Sequence, residues 1–492
     1  MTGSYLSFDI GTTALKTALV GEDGRVIALA EVEYTPSTPA PGWMEMDPEA
    51  YWQAAVEGAH GVLAEARAAG ALSGPGEAQV RAIGFSSQGE SFIPMDAGGR
   101  PLGPAIVWLD ARAAELTRRW EREWLSAERY RAICGYPWVL EGLTLFKIAW
   151  LREHAPQMHR AAKFLFLPDW LIYRLTGEIA TDFNMAQMSG MLDLRRGAWS
   201  AELLAAAGIS EQQLPPVGAP GDAVAEVTSE AARALGIAPG ALVCLGCNDQ
   251  LAGAIGAGNV RPGVVSETTG TALAVVASTP ELLDDARFYV GRHAVPGLSY
   301  AMPYANVSAA VLTWFRDLCA GADYDALTQA AAQVAPGSEG LTVLPHFAGT
   351  GEQPDARGAM LGLTLGHTRG HIARAIMESC ACLLRELLEP ITARGLALGS
   401  IRSLGRAARS DLWLQMKADA LQAPVERPAC PEAASLGAAM LAAAGTGQFP
   451  GIAEAAEAWY RPAAAFAPDP AMAGAWEQIY ERYREACARL YA

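Results

Sequence analysis

The segment SFDIGTTALK combines residues that could bind a phosphate group and a metal ion. Asp9 ends an apolar run, and the residues after it include Gly11, Thr12, Thr13 and Lys16. A glycine in a tight turn lets backbone N–H groups approach an anion, and threonine hydroxyls add further donors, so this turn suits phosphate oxygens. The carboxylate of Asp9 could hold a divalent cation through direct or water-mediated contacts. An ordinary hairpin turn is the alternative, because the pattern is neither a P-loop nor a dinucleotide fingerprint.

A second segment, VVSETTGTALAVV, repeats this pattern of strand, turn and strand. Its turn is formed by Thr269, Gly270 and Thr271, and an apolar strand and a helix-like stretch precede it. We interpret the recurrence as two similar halves of the chain, each with a Gly/Thr turn between two strands. The repetition favours a phosphate-binding role over two unrelated hairpins.

An acidic residue opens a helix of small residues in the segment GCNDQLAGAIGAG. Asp249 follows an apolar strand directly, and Gln250 comes next. A carboxylate held there by a rigid element could accept the proton of a hydroxyl group as a general base. The alternative is that Asp249 only caps the helix.

Hydrogen-bonding side chains cluster in two further segments, SSQGES and VWLDAR. They include Gln88, Glu90, Trp108, Asp110 and Arg112. Several polar groups beside one aromatic face suit a polyhydroxylated ligand. A solvated loop would have a similar composition.

The elements that must position these residues are strands followed by helices. Three extended runs near the N-terminus are followed by Asp47, Pro48 and Glu49, which supply an N-cap, a first-turn proline and a first-turn acid for a helix. The run VRAIGFSS predicts a further strand, and this order indicates the α/β class. We divide the chain into 1–252 and 253–492 and expect a small-molecule site in the cleft between the two halves.

The composition excludes several classes of protein. The chain has 492 residues, a hydrophobic fraction of 51%, eight cysteines and a formal net charge of −16. Disordered chains lack this apolar content, and sequence-independent nucleic-acid binding needs clustered cations, so we expect neither disorder nor a nucleic-acid partner. No secretory signal is evident, and the most apolar later stretch, Ala433–Gly445, is shorter than the roughly 20 residues of a membrane span. We expect a cytoplasmic protein with no membrane partner, because the cysteines form no disulfide-dense pattern.

The motifs, taken in order, resemble the FGGY family of carbohydrate kinases. The ordered set extends from about Tyr5 to about Leu441 and comprises SFDIGTT, GWMEMDP, GFSSQGES, PAIVWLDAR, GCNDQLAGAIGAG, TTGTA, LPHFAGTGEQPDARGAMLGLTLGHT and ARSDLWLQMKADAL. Any one motif is weakly specific, whereas the ordered set is strongly specific. The resemblance implies a two-domain, actin-like ATPase fold of the ribonuclease H-like type with an interdomain cleft. It also implies ATP-dependent phosphorylation of a sugar or polyol hydroxyl.

The resemblance further implies roles for individual residues, with ATP and Mg²⁺ as cofactors. Asp249 matches the family's catalytic aspartate, which takes the hydroxyl proton, and Asp9 together with Asp249 is implied to lie near the magnesium. The residues implied to bind the acceptor, within the first half, are Gln88, Glu90, Trp108, Asp249 and Gln250. The residues implied to bind ATP are Gly11, Thr12, Thr13 and Lys16 in the first half and Thr269, Gly270, Thr271 and Gly405 in the second half, which is implied to carry most of the nucleotide site.

The chain departs from the family pattern at the nucleotide turn and at the acceptor loop. Gly405-Arg406-Ala407 stands where three glycines are usual, so the side chains either narrow the nucleotide pocket or Arg406 adds a phosphate contact. Gly89 stands where glycerol kinases carry an arginine, and Glu90 stands where a histidine is frequent in ketopentose kinases. The general layout is more similar to ketopentose kinases such as xylulokinase, so we expect a ketopentose such as xylulose. A polyol similar to glycerol or erythritol, or a sugar acid, is the alternative.

A catalytically silent protein that senses sugar or nucleotide is an alternative of another class, motivated by the altered glycine turn. Asp9 and Asp249 argue against it, because a sensor needs neither a metal-side acid nor a base. A dehydrogenase is disfavoured, because no Gly-x-Gly-x-x-Gly motif opens a helix. A homodimer is an expectation from the family resemblance alone.

Overall fold

The chain forms two compact units, seen in a computed structural model that describes residues 3–72, 78–321, 323–350, 353 and 355–491. Unit 1 comprises Met1–Val260, Pro280–Tyr300 and Glu432–Tyr460. Unit 2 comprises Arg261–Thr279, Ala301–Pro431 and Arg461–Ala492. Residues 351, 352 and 354, within the segment LPHFAGTGEQPDARGAMLGLTLGHT, lie outside the described residues.

Groups of strands are followed by groups of helices along the chain, in agreement with the α/β prediction. The strands are β1 (Ser4–Ile10), β2 (Ala14–Gly21), β3 (Val26–Glu33), β4 (Glu45–Met46), β5 (Val80–Ser87), β6 (Phe92–Met95), β7 (Ala105–Ile106), β8 (Lys163–Phe166), β9 (Thr181–Asp182), β10 (Leu192–Asp193), β11 (Ala198–Trp199), β12 (Val217–Gly218), β13 (Ala223–Glu226), β14 (Leu242–Cys244), β15 (Cys247–Asn248), β16 (Val264–Thr269), β17 (Leu273–Thr279), β18 (Tyr289–Arg292), β19 (Ser299–Met302), β20 (Tyr304–Ala305), β21 (Thr342–Leu344), β22 (Ala359–Leu361), β23 (Ser400–Leu404), β24 (Val425–Pro428) and β25 (Pro462–Phe466). The helices are α1 (Pro48–Ala68), α2 (Ala114–Glu123), α3 (Ala127–Cys134), α4 (Thr144–His154), α5 (Leu167–Thr176), α6 (Phe183–Met188), α7 (Ala201–Ala206), α8 (Ser229–Leu235), α9 (Asp249–Gly256), α10 (Ala310–Leu318), α11 (Tyr324–Ala332), α12 (Arg369–Thr392), α13 (Asp411–Leu421), α14 (Ala433–Gly445), α15 (Ile452–Trp459) and α16 (Ala473–Tyr491).

The main sheet of unit 1 has the strand order β13-β14-β5-β1-β2-β3, with β15 beside β5. β1, β2 and β3 form the antiparallel meander that the N-terminal turns predict. β1 also pairs parallel with β5, and β5 pairs parallel with β14 and β15. The carboxyl ends of β1, β5 and β15 therefore meet at one edge, which is where ligands bind in open α/β sheets.

Helix α1 begins as its sequence predicts. The Asp47 carboxylate accepts a hydrogen bond from the backbone N–H of Glu49 at 3.0 Å, and Pro48 occupies the first turn. The cap satisfies a donor that the helix cannot pair internally, which stabilises the helix by about 1 kcal/mol. One face of α1 buries apolar side chains in the core of unit 1 together with Phe8, Ile83 and Phe85.

The chain returns to unit 1 at Glu432–Tyr460, whereas the sequence predicted contiguous halves that meet after residue 252. The physical reason is backbone contact between small residues on α14 and α9. A Cβ atom at Gly437 would overlap the carbonyl of Ala252, and one at Gly256 would overlap the carbonyl of Ala433. Only glycine lets these helices approach so closely, and α14 is for this reason a buried helix of unit 1.

The sheet of unit 2 follows the path β17-β16-β23-β24-β25, with β20 beside β17. β16 and β17 form an antiparallel hairpin, and β16 pairs parallel with β23. Unit 1 has the same arrangement in β1, β2 and β5, so the repeated pattern read from the sequence is confirmed. A core of α10, α11, α12, α13 and α16 side chains, including Phe315, Ile376 and Trp413, packs in unit 2.

Among the described residues, none of the helices is long and apolar enough to cross a membrane. The most apolar stretch, on α14, is buried against the protein itself.

We predict that Gly437→Ala destabilises the protein by about 1–3 kcal/mol, because the new methyl group forces α14 away from the Ala252 carbonyl. Thermal and urea unfolding measure the loss. The matched control is Gly474→Ala on α16, where a Cβ meets nothing within 4 Å. There we expect no loss, since alanine favours the helix. Equal stabilities of the two variants would refute the proposed close packing.

Candidate active site

Asp9 lies at the end of β1, directly beside Ser86 on β5. The Ser86 hydroxyl donates to Asp9 Oδ1 at 2.6 Å. Burial raises the pKa of Asp9 above its ordinary value, and the Ser86 hydrogen bond and the charge of Lys16 oppose that rise. The residue as a whole is partly exposed.

The first Gly/Thr turn is as tight as the sequence predicts. The Gly11 N–H donates to the Ala14 carbonyl at 2.9 Å, and a Cβ at Gly11 would lie 2.9 Å from the same oxygen. Thr13 is exposed at the turn. The Lys16 ammonium lies 2.7 Å from the Glu432 carboxylate, and although burial opposes its charge, this contact raises the pKa of Lys16. The Lys16 side chain is therefore paired with the Glu432 carboxylate.

A chain of hydrogen bonds joins the first turn to two of the predicted acceptor residues. Trp108 Nε1 donates to Thr12 Oγ1 at 2.8 Å, and Thr12 Oγ1 donates to Gln88 Oε1 at 3.2 Å. Gln88 Nε2 in turn donates to the Gly11 carbonyl at 3.0 Å. The Trp108 side chain is otherwise open, since the residue is 39% exposed. The structure thus brings the first Gly/Thr turn together with the segments that carry Gln88 and Trp108.

Asp249 occupies the first turn of α9 and does not cap it. The cap is Asn248, whose side chain accepts from the Gln250 N–H at 3.0 Å. The alternative that Asp249 serves only as a helix cap is therefore wrong. Burial raises the pKa of Asp249 to about 7, and the negative charge of Asp9 adds to the rise. Asp249 and Gln250 are both partly exposed residues at the start of α9.

Glu90 has a left-handed backbone conformation, with φ of 58°, which is unusual for a residue with a side chain. The Tyr136 hydroxyl donates to Glu90 Oε1 at 3.2 Å. Burial raises the pKa of Glu90, Lys147 opposes the rise, and Asp249 adds to it. Backbone strain combined with a perturbed carboxyl is typical of a functional position.

Lys147, on α4, connects the segments that carry Glu90 and Trp108. Its ammonium donates to the carbonyl of Glu90 at 3.0 Å and to the carbonyl of Val107 at 3.1 Å. Thr144 Oγ1 donates to the same Glu90 carbonyl at 2.8 Å. Burial lowers the pKa of Lys147, and the charge of Glu90 opposes that change. The lysine holds the backbone on both sides of the site, next to Glu90 and Trp108.

Asp110 and Arg112 belong to the framework of the site, contrary to the sequence interpretation that they face a ligand. Arg112 forms two hydrogen bonds of 2.8 Å to the Asp110 carboxylate and one of 2.7 Å to Glu45. Its guanidinium carbon lies 4.0 Å from the centroid of the Trp43 ring. Both residues are buried, so the ion pair positions the loop that carries Trp108.

The second Gly/Thr turn lies in unit 2, between β16 and β17, close to the Gly405 turn. Thr269 is only 1% exposed, whereas Thr271 is exposed. Gly405 has φ of +78°, and a Cβ there would lie 3.2 Å from the Thr269 carbonyl. Glycine is therefore required at Gly405 even though Arg406, the next residue, departs from the glycine pattern and is exposed.

Several supporting residues escaped the sequence analysis. These are Tyr136, Lys147 and Glu432 in unit 1 and Glu267 and Lys417 in unit 2. A charged residue within an apolar helical pattern was the available signal for Lys147 and Lys417. Tyr136 and Glu432 carry no local signal, because their partners are distant in sequence, and the same holds for Glu267 and its ion-pair partner Lys417.

The carboxylates of unit 1 suit a magnesium ion better than a metal held only by protein. The described part of the chain has no group of three or more His, Cys, Asp or Glu side chains arranged for a metal. Mg²⁺ is usually bound through one or two carboxylates, with water and phosphate oxygens completing its coordination. The repulsion between Asp9 and Asp249 is the kind of interaction that a divalent cation relieves.

Comparison with known families identifies both parts of the chain. Residues 4–256 match the model of the FGGY family of carbohydrate kinases, N-terminal domain. Residues 265–446 match the corresponding C-terminal domain.

Alignments with similar kinases extend over nearly the whole chain. A glycerol kinase of Methylibium petroleiphilum is 34% identical over 92% of this chain and 93% of its own. A xylulose kinase of Bacillus subtilis is 29% identical over 97% of this chain and 95% of its own. The crystal structure of xylulose kinase from Rhodospirillum rubrum aligns with a TM-score of 0.89 and 32% identity, covering 99% of both chains. The two-domain, actin-like fold expected from the sequence is confirmed.

We predict that Asp249→Asn raises the melting temperature of the ligand-free protein more at about pH 8 than at about pH 5. Because the pKa of Asp249 is raised in the folded state, the protonated carboxyl stabilises the folded protein. This contribution to the free energy of unfolding is complete below the ordinary pKa of an aspartate and is lost as pH rises through about 7. The neutral amide avoids that loss. Asp323→Asn, at an exposed residue, is the control and should show the same difference at both pH values. A pH-independent gain for Asp249→Asn would contradict the raised pKa.

Proposed function

The chain belongs to the FGGY family of carbohydrate kinases, phosphotransferases that use ATP, and from this premise we propose that it phosphorylates a hydroxyl group of a ketopentose such as xylulose. The observation that supports this proposal most strongly is the environment of Asp249. A carboxyl whose pKa burial raises to about 7 is poised to accept a hydroxyl proton near neutral pH. The general base is thus Asp249, which increases the nucleophilicity of the acceptor oxygen.

ATP and Mg²⁺ are the proposed cofactors, and Asp9 and Asp249 are the carboxylates that would hold the metal. When bound, Mg²⁺ neutralises negative charge on the phosphoryl oxygens during transfer. Asp9 is kept in place by the Ser86 hydroxyl. The proposed phosphate contacts in unit 1 are the turn residues Gly11, Thr12, Thr13 and Lys16. In unit 2 they are Gly270, Thr271, Gly405 and the backbone of Thr269, whose side chain is buried.

The acceptor contacts are proposed to come from Glu90, Trp108 and Gln250, with Gln88 keeping Trp108 and the first turn together. Gly89 bears on the choice of acceptor. A Cβ at Gly89 would lie 3.1 Å from the Met188 methyl group, so a long side chain cannot be added there without moving Met188. The arginine of glycerol kinases has no equivalent at this position. This difference and the similar xylulose kinases favour a ketopentose.

A polyol is the second candidate for the acceptor. The Tyr136 hydroxyl donates to Glu90 Oε1 at 3.2 Å, and the carboxylate of this pair has further lone pairs that can accept from a substrate hydroxyl. This pair does not require a keto group on the substrate. The 34% identity to a glycerol kinase points in the same direction.

We predict ADP release from MgATP with a ketopentose and a loss of kcat by several orders of magnitude in Asp249→Ala. A coupled assay against ketopentoses, ketohexoses, aldonates and polyols measures both. Asp323→Ala, at an exposed carboxylate outside the site, is the matched control and should retain wild-type turnover. Turnover confined to glycerol would overturn the ketopentose assignment, and an Asp249→Ala variant with undiminished kcat would overturn the assignment of the base.

Lys147→Met should raise KM for the acceptor while changing KM for ATP little. The substitution removes the ammonium that holds the carbonyls of Glu90 and Val107, and both acceptor loops lose a common anchor. An increase of about tenfold or more is expected, consistent with the loss of two buried hydrogen bonds. Steady-state kinetics with each substrate varied in turn tests this. Equal increases in both KM values would instead indicate general damage to the protein.

A further inference from the structure

A fully buried ion pair lies behind the second Gly/Thr turn in unit 2. Glu267 on β16 and Lys417 on α13 both have side chains with zero exposure, and Lys417 Nζ lies 2.6 Å from Glu267 Oε1. Removing two charges from water is costly, so a pair of this kind contributes little to stability compared with an apolar pair of similar volume. Its position beside the turn calls for another explanation.

The hydrogen bonds of this pair converge on the first residue of the turn. Lys417 Nζ also donates to Thr269 Oγ1 at 2.9 Å and to Ser403 Oγ at 3.2 Å. Thr269 Oγ1 donates to Glu267 Oε2 at 2.6 Å, and the Ser403 hydroxyl donates to Glu267 Oε1. The three protons of the ammonium thus have three acceptors. The Thr269 hydroxyl is held on both its donor and its acceptor side.

The same cluster connects the strands that carry the two turns of unit 2. Glu267 and Ser403 face each other in the parallel register of β16 and β23, and Thr268 pairs with Leu404 one residue later. Gly405 follows immediately, against the carbonyl of Thr269. The ends of both strands are therefore tied to α13 at the point where each turn begins.

We propose that Lys417 and Glu267 are positioning residues for the phosphates of ATP. The ion pair keeps the Thr269 side chain turned inward, so that the backbone of Gly270, the exposed Thr271 and the Gly405 turn present a fixed set of donors. This role rests on the proposed function, in which these turns receive the nucleotide. Preorganised donors bind a charged ligand more tightly because they need no ordering when it arrives.

The test compares variants that keep the volume of the cluster while removing its connection to Thr269. In Glu267→Met/Lys417→Met both charges disappear together, which avoids leaving one charge buried alone. Thr269→Val removes only the hydroxyl and keeps the ion pair. The matched control is Arg374→Met/Glu378→Met, a buried ion pair of the same unit on α12 with an Nε–Oε1 distance of 2.8 Å.

Calorimetric titration with MgATP is the primary measurement, because it needs no acceptor. We expect both the double variant and Thr269→Val to remain folded by thermal melting and to raise Kd for MgATP by about tenfold or more, which is the equivalent of about 1.4 kcal/mol. The control pair should leave Kd unchanged, and KM for the acceptor should stay within about twofold in all variants with turnover.

The outcomes separate this inference from the proposed function. A folded Thr269→Val or double variant with wild-type Kd for MgATP overturns the positioning role while the kinase assignment stands. A wild-type protein that binds no MgATP overturns both. If the double variant does not fold, Thr269→Val alone decides, because that change preserves the shape of the residue and the ion pair.

Discussion

The burial of neighbouring carboxylates at one sheet edge is the constraint on which the site depends. Burial raises the pKa of Asp249 and of Glu90, and the charge of Asp9 adds to the rise at Asp249, as the charge of Asp249 does at Glu90. Isolated, such an arrangement would be strongly destabilising. The Ser86 hydroxyl on Asp9 and the Lys147 ammonium next to Glu90 partly offset it. Burial, together with the remaining repulsion from Asp9, places the pKa of Asp249 at about 7, which suits a group that accepts a proton near neutral pH.

In unit 2, by contrast, buried charges of opposite sign are paired. Its buried charges, Glu267 and Lys417, neutralise each other at 2.6 Å, and the surface turns in front of them carry no carboxylate of their own. In the proposed function, unit 1 contributes the acids and the base, whereas unit 2 contributes backbone donors and hydroxyls. A phosphoryl transfer needs both kinds of surface, since the metal and the nucleophile require carboxylates and the phosphates require donors.

The sequence allowed prediction of most of the fold and of the residues at strand ends, for local reasons. The meander, the Asp47 cap and the repeated Gly/Thr hairpin depend on turn chemistry and strand periodicity, which neighbouring residues determine. The return of α14 to unit 1 could not be predicted, because it depends on glycines at 256 and 437 that meet only in three dimensions. The partners of Lys16 and Lys417 were missed for the same reason. Asp110 was interpreted as a ligand contact, because the residues of a buried ion pair are of the same types as those that contact a polar ligand.

The pH dependence of kcat/KM for ATP, measured at subsaturating acceptor, tests the role of Asp249 most directly, because it reports groups in the free enzyme. We expect log kcat/KM to rise with unit slope as pH increases and to level off near pH 7, where Asp249 becomes ionised. Glu90→Gln should retain this acidic limb, which assigns it to Asp249 rather than to Glu90. A profile that is flat from about pH 5.5 to about pH 8 would contradict a base with a raised pKa.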